Sequence, residues 1–211
     1  LSLHDALPIC RGFIPMLAEV HARQDVRIFL AIGHRSGDYA PGGVGIGDFN
    51  NDGLKDVFFT GNQVSCRLYI NKGNVEFDDV TEKAGITTNV WCTGVSIVDI
   101  NNDGFDDIYV CIFGKDLKQR TKNLLFINQR NLTFKEEATA YGIADTGYST
   151  QAAFFDYDND GDLDLVVNRS NDYAGVYRNN AETQVKNNFL RIELKGNALN
   201  ERGIGAKIKL F

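Results

Sequence analysis

Aspartate recurs in this chain at fixed intervals. The segments Asp48-Phe-Asn-Asn-Asp-Gly-Leu-Lys-Asp56, Asp99-Ile-Asn-Asn-Asp-Gly-Phe-Asp-Asp107 and Asp156-Tyr-Asp-Asn-Asp-Gly-Asp-Leu-Asp164 share the spacing D-x-[DN]-x-D-G-x-x-D. Oxygen side chains at positions 1, 3, 5 and 9 curl around one centre, and hard oxygens in that number suit Ca²⁺. The candidate ligands are Asp48, Asn50, Asp52 and Asp56; Asp99, Asn101, Asp103 and Asp107; and Asp156, Asp158, Asp160 and Asp164. Position 7 (Leu54, Phe105, Asp162) can offer its backbone carbonyl, and the glycine at position 6 allows the positive-φ turn that folds the loop back. Without a cation the arrangement is poor, because two carboxylates roughly 5 Å apart repel by about 3 kcal/mol at an effective dielectric near 20. The third loop is the most acidic and the expected tightest site. Position 8 carries no ligand in this scheme, so Asp106→Ala is expected to leave the calcium-induced shift in melting intact.

The EF-hand shares the opening of this pattern, but it closes with a bidentate Glu at position 12 and is flanked by helices. Position 12 here is Phe59, Val110 and Val167, none of which ligates a metal. The flanks alternate like strands, as in Val95-Ser-Ile-Val going in and Ile108-Tyr-Val-Cys-Ile112 coming out. A metal-free reading as Asp/Asn/Gly hairpin turns suits one copy. Three copies argue against it.

The repeat extends beyond the loops. Leu68-Tyr-Ile-Asn71, Leu125-Phe-Ile-Asn128 and Val176-Tyr-Arg-Asn179 follow the three loops, then Phe77 and Phe134, then Gly85-Ile86 and Gly142-Ile143. The first two loops start 51 residues apart and the second pair 57 apart, which places a six-residue insertion in the polar stretch 114–122. Each unit reads as four short strands, in the first roughly 43–48, 56–60, 67–71 and 76–81. A repeat of about 50 residues with four strands is a β-propeller blade. The expected fold is all-β: a partial propeller of about three four-stranded blades, over 43–93, 94–150 and 151–186, belonging to a larger protein because three blades do not close a ring.

Loops, strand context and period together resemble the FG-GAP or VCBS repeats of integrin α-subunit propellers and of many bacterial surface proteins. The resemblance implies one calcium ion per loop, about three in all, held between the first two strands of each blade. After Asn179 the pattern departs, and residues 187–211, an alternating strand followed by the turn at Gly203-Ile-Gly, resemble the start of an ASPIC/UnbV domain. That module follows such repeats in cartilage acidic protein and its bacterial relatives. At the other end, residues 1–9 resemble the translation of a sequencing adapter and are expected to be an artefact, and 10–42 form a leader outside the repeat.

The formal charge of −6 is mostly metal site, since three Ca²⁺ ions would cancel it. With no basic stripe, nucleic acid is not the expected partner. No run of 18 apolar residues is present to span a membrane. Cys66, Cys92 and Cys111 lie in repeat strands; Cys92 and Cys111 enter and leave the second loop, and both a disulfide between them and free buried thiols are compatible with that placement. All three histidines, His4, His21 and His34, precede the repeats, so nucleophilic catalysis has no base there and no enzyme is expected. The expectation is a calcium-stabilised extracellular binding or adhesion module for protein or glycan. The alternative is the non-catalytic propeller of a secreted carbohydrate-active enzyme.

Overall fold

The computed structural model describes residues 42–181 apart from 63, 75 and 115–120, together with 194–195. The readings of residues 1–41, of the insertion at 115–120 and of the segment from 187 onward fall outside these, save for residues 194–195. Eleven strands are found among the described residues: β1 (Val44–Gly47), β2 (Asp56–Phe59), β3 (Arg67–Gly73), β4 (Glu76–Asp79), β5 (Trp91–Val98), β6 (Asp107–Gly114), β7 (Leu124–Asn128), β8 (Phe134–Glu136), β9 (Ser149–Phe155), β10 (Asp164–Arg169) and β11 (Gly175–Tyr177). They form three antiparallel meanders in the orders β1-β2-β3-β4, β5-β6-β7-β8 and β9-β10-β11. The third sheet has three strands among the described residues where four are expected, and residues 182–193 lie outside them.

Alternation along the strands decides how the sheets stack. On β6, Ile108, Val110 and Ile112 enter a core shared with Phe58, Leu68 and Ile86 of the first repeat. Tyr109 and Cys111, pointing the other way, enter a second core with Leu165, Val167 and Ala152 of the third. The middle sheet is therefore buried on both faces, as in a propeller blade between two neighbours. Cys92 and Cys111 consequently belong to different cores, and no bond between them is compatible with this packing.

The first strands of the three sheets meet along one line. Gly43 N–H donates to Thr93 O at 2.8 Å, Thr93 Oγ1 to Ser149 O at 2.8 Å, and Ser96 Oγ to Ala152 O at 2.5 Å. A Cβ on Gly94 would stand 2.5 Å from Thr150 O, so the missing side chain is what lets β5 approach β9. Beyond each fourth strand the chain makes one tight turn. In the first, Ala84 N–H donates to Val80 O and Ile86 N–H to Thr81 O, Gly85 takes φ +73°, and the fully buried Ile86 plugs the core. This explains the repeating Gly-Ile pair: glycine reverses the chain and isoleucine anchors it.

Both ends of the arc present apolar side chains to solvent. Val44 and Ile46 do so on β1, Phe155 and Val176 on the third sheet. The two faces correspond to those that the middle sheet buries on either side.

Candidate metal centre

Each Asp loop joins the first strand of a sheet to its second, and the three share one hydrogen-bond plan. The carboxylate at position 1 accepts from the backbone N–H groups of positions 5 and 6: Asp48 from Asp52 and Gly53 at 3.1 and 2.9 Å, Asp99 from Asp103 and Gly104 at 2.9 and 2.8 Å, Asp156 from Asp160 and Gly161 at 3.1 and 3.2 Å. The carboxylate at position 5 accepts from the N–H of position 7: Leu54 at 2.8 Å, Phe105 at 2.9 Å and Asp162 at 3.1 Å. Asn50 and Asn101 at position 3 accept from the N–H of position 5. These bonds occupy one lone pair per oxygen and aim the side chains inward, leaving acceptor capacity for a cation.

The loop also needs two left-handed residues. Gly53, Gly104 and Gly161 at position 6 take φ of +86°, +86° and +98°, and Asn51, Asn102 and Asn159 at position 4 take +56°, +54° and +64°. The second requirement was written in the sequence as an asparagine at position 4 of all three copies, the non-glycine residue best suited to that region.

Position 9 has a structural role. Asp56, Asp107 and Asp164 are buried, and each spans two segments of backbone. One oxygen accepts the N–H of position 2, from Phe49 at 2.8 Å, Ile100 at 3.1 Å and Tyr157 at 3.0 Å. The other accepts the N–H of the recurrent asparagine in or just after the third strand, from Asn71 at 2.8 Å, Asn128 at 2.7 Å and Asn179 at 2.8 Å. The recurrent Asn thus has a role that the sequence reading left unassigned. Its N–H latches the loop to the third strand, and its side-chain oxygen turns the chain by accepting from Gly73, Arg130 or Ala181.

Burial pushes the carboxyl of Asp107 up to about 6, its two N–H donors opposing and the charges of Asp103 and Asp99 adding. Asp56 is raised for the same first reason. Asp52 and Asp160 are held low, chiefly by the N–H of Leu54 and of Asp162. At Asp103 burial acts upward, but the Phe105 N–H and the Arg130 guanidinium together outweigh it.

Position 8 has a structural role outside its own loop: Asp106 Oδ2 accepts the backbone N–H of Asp48 at 2.8 Å, in the loop of the preceding sheet. Asn51 Nδ2 donates to Gly104 O at 2.8 Å, and Asn128 Nδ2 to Phe49 O at 2.8 Å, across the same joint. The first and second loops are thereby tied together. Asp106→Ala removes a charged acceptor, and a loss of about 1–2 kcal/mol is expected in a denaturant titration, the same with calcium as with chelator.

The third loop comes closest to a finished cation site. Oxygens of Asp156, Asp158 and Asp164 all lie within 4.8 Å of one another. Oδ2 of Asp162 is shielded from solvent without a hydrogen-bond donor, and both oxygens of Asp158 are shielded from solvent with Arg178 as their charged neighbour. Arg178 Nε stands 2.7 Å from Asp158 Oδ2, off the alignment of a hydrogen bond, and Arg178 Nη2 is 3.4 Å from Asp160 Oδ2. Burial raises the carboxyl of Asp158, Arg178 opposing and the charges of Asp160 and Asp164 adding. Buried carboxylate oxygens without donors are costly unless a cation meets them. The residues present therefore fit a divalent ion, which Asp156, Asp158, Asp160, Asp164 and position 7 would hold.

The FG-GAP-like repeat family matches residues 48–110 and 113–167, which together contain all three loops and more than half of the chain. The chain belongs to that family. No curated protein matches it. The first FG-GAP span runs from the first Asp loop through β2 to β4, the Gly-Ile turn and the second loop into β6, and the second runs from the end of β6 through β7, β8, the next Gly-Ile turn and the third loop into β10. The family pattern and the hydrogen-bond plan thus describe the same unit. The ASPIC/UnbV resemblance has no counterpart in these matches.

Proposed function

We propose that this FG-GAP propeller is a calcium-stabilised extracellular module that binds protein or glycan and performs no catalysis. The observation that carries the metal half is the convergence of Asp156, Asp158 and Asp164 oxygens within 4.8 Å of one another in the third loop, with the donorless Oδ2 of Asp162 beside them. The same loop plan recurs in the other two repeats, so about three ions are expected. Ca²⁺ supplies positive charge and flexible oxygen coordination there, while the protein orients its ligands through the N–H bonds of positions 5, 6 and 7.

Location follows from the ion. Loops of the affinity expected for extracellular modules fill near 1 mM calcium and stay empty in cytosol. The resemblance to integrin α-subunit and bacterial surface propellers points the same way, as does the resemblance of residues 187–211 to an ASPIC/UnbV segment. No described helix is long and apolar enough to cross a membrane. The binding role rests on architecture: loops at the ends of rigid blades vary without disturbing the core and present side chains to a ligand.

The test is an array of extracellular proteins and glycans probed with the full chain in 1 mM Ca²⁺ and in chelator. A ligand retained in calcium and lost in chelator is the expected result. Equal retention in both would separate binding from the metal and overturn this reading.

A further inference from the structure

The third loop carries the most negative charge, with Asp156, Asp158, Asp160, Asp162 and Asp164 in one motif. It also has a cation of its own. Arg178, the residue after β11, stands where the first two repeats have Ile70 and Ile127, directly before the recurrent asparagine. Those isoleucines are buried in the two cores, whereas the Arg178 side chain is half exposed. Its guanidinium turns to the loop, with Nε 2.7 Å from Asp158 Oδ2 and Nη2 3.4 Å from Asp160 Oδ2. One side chain thus bridges positions 3 and 5.

The other two loops are arranged differently. In the second, Arg130 comes from beyond the asparagine, places Nε 3.1 Å from Asp103 Oδ2 at position 5, and lies over the Phe105 ring. In the first, position 5 takes its side-chain partner from Asn50 Nδ2 at 2.8 Å, and Lys72 pairs with Asp78 at 3.9 Å. Position 3 is a neutral asparagine in both, Asn50 and Asn101. Two exchanges therefore set the third repeat apart, Asp for Asn at position 3 and Arg for Ile at 178, and they meet in one contact. The charge that the first adds, the second answers.

We propose that Arg178 is the built-in counter-cation of the third loop, competing with Ca²⁺ for Asp158 and Asp160 and so setting the calcium affinity of that site. This rests on the calcium reading above. Two of the carboxylates that would hold the ion are the ones the guanidinium already touches, and the guanidinium charge is permanent. Two cations drawn to the same carboxylates repel, so calcium binds either by displacing Arg178 or against its charge. Displacement is open to a side chain that is already half in solvent. The third site consequently fills at a higher calcium concentration than its five carboxylates alone would set.

The test is calcium titration of the full chain by equilibrium dialysis, with thermal melting alongside, for the parent, Arg178→Gln and Arg67→Gln. Arg67, a half-exposed arginine paired with Asp79, controls for the change in net charge. In Arg178→Gln one site is expected to bind roughly tenfold tighter, the effect of removing a single charge beside a divalent ion in solvent-screened surroundings, while the other sites keep their affinities. Arg67→Gln should leave every site as in the parent. Adding Asp158→Ala to Arg178→Gln should abolish the tightened site, which places it in the third loop. In chelator, Arg178→Gln should melt below the parent, because the carboxylates lose their counter-charge. A folded Arg178→Gln chain that binds calcium no more tightly than a parent holding about three ions overturns the inference and leaves the calcium reading standing. An equal gain in Arg67→Gln overturns it as well. No binding in either chain overturns both.

Discussion

Replacing Asp107 by alanine lowers the stability of the chain by about 2–6 kcal/mol, and it does so in chelator as well as in calcium. The Asp107 carboxylate is fully buried, with Asn128 N–H at 2.7 Å on one oxygen and Ile100 N–H at 3.1 Å on the other. Alanine leaves both donors inside the protein without an acceptor, at about 1–3 kcal/mol each. Against the ~5–15 kcal/mol that holds an ordinary domain, this is a large share. Asp103→Ala is the contrast. Its carboxylate lies at the loop surface with Phe105 N–H and Arg130, so its loss is expected to register mainly when calcium is present. Urea titrations of both variants with and without calcium separate the two roles. An Asp107→Ala chain as stable as the parent in chelator would show that the buried bridge does not hold the blade together.

The second large effect is that of the ion itself. With a dissociation constant near 0.1 mM and roughly 1 mM Ca²⁺, one site contributes RT ln(1 + 10), about 1.4 kcal/mol, and three independent sites about 4 kcal/mol. Thermal melting of the full chain should therefore shift upward by roughly 10 °C on replacing chelator with 1 mM Ca²⁺. Asp158→Ala sharpens the test. Removing its carboxylate in chelator relieves the repulsion from Asp160 and Asp164 but forfeits the ion pair with Arg178, so little change is expected there, while in calcium one site's share of the shift disappears. The shift should also shrink as pH falls through about 6. Asp107, raised to that value by burial, then takes up a proton that competes with the cation, and the metal-free chain loses the cost of burying that charge. Stability in chelator thus rises from this group on mild acidification while the calcium increment declines. Identical melting curves with calcium and chelator at pH 7.4 would remove the metal from the account.

Much of this was legible in the residues because the signals are local and repeated. The first blade's strands, expected at 43–48, 56–60, 67–71 and 76–81, form at 44–47, 56–59, 67–73 and 76–79, since alternation and turn chemistry are properties of a few neighbours. The exclusion of helical flanks followed from position 12 and from the β-branched runs. What stayed hidden involves contacts between blades. Asp106 looks idle within its own loop, and its partner is Asp48, 58 residues away in another sheet. Cys92 and Cys111 look adjacent along a hairpin, but they point into different cores, Cys92 into the one it shares with Cys66. The left-handed asparagines at position 4 were available in the sequence, and three copies of Asn51, Asn102 and Asn159 were the signal. The double duty of Asp56, Asp107 and Asp164 was not, because a ligand and a backbone bridge require the same residue type at the same spacing.

The most direct measurement is a calcium titration of the full chain by equilibrium dialysis at pH 7.4, run beside Asp158→Ala. The account predicts saturable binding of about three ions with dissociation constants in the ~10⁻⁴–10⁻³ M range, and one ion fewer in the variant, with its fold unchanged. A folded parent chain that binds no calcium at 1 mM, or a variant that binds as many ions as the parent, would contradict it.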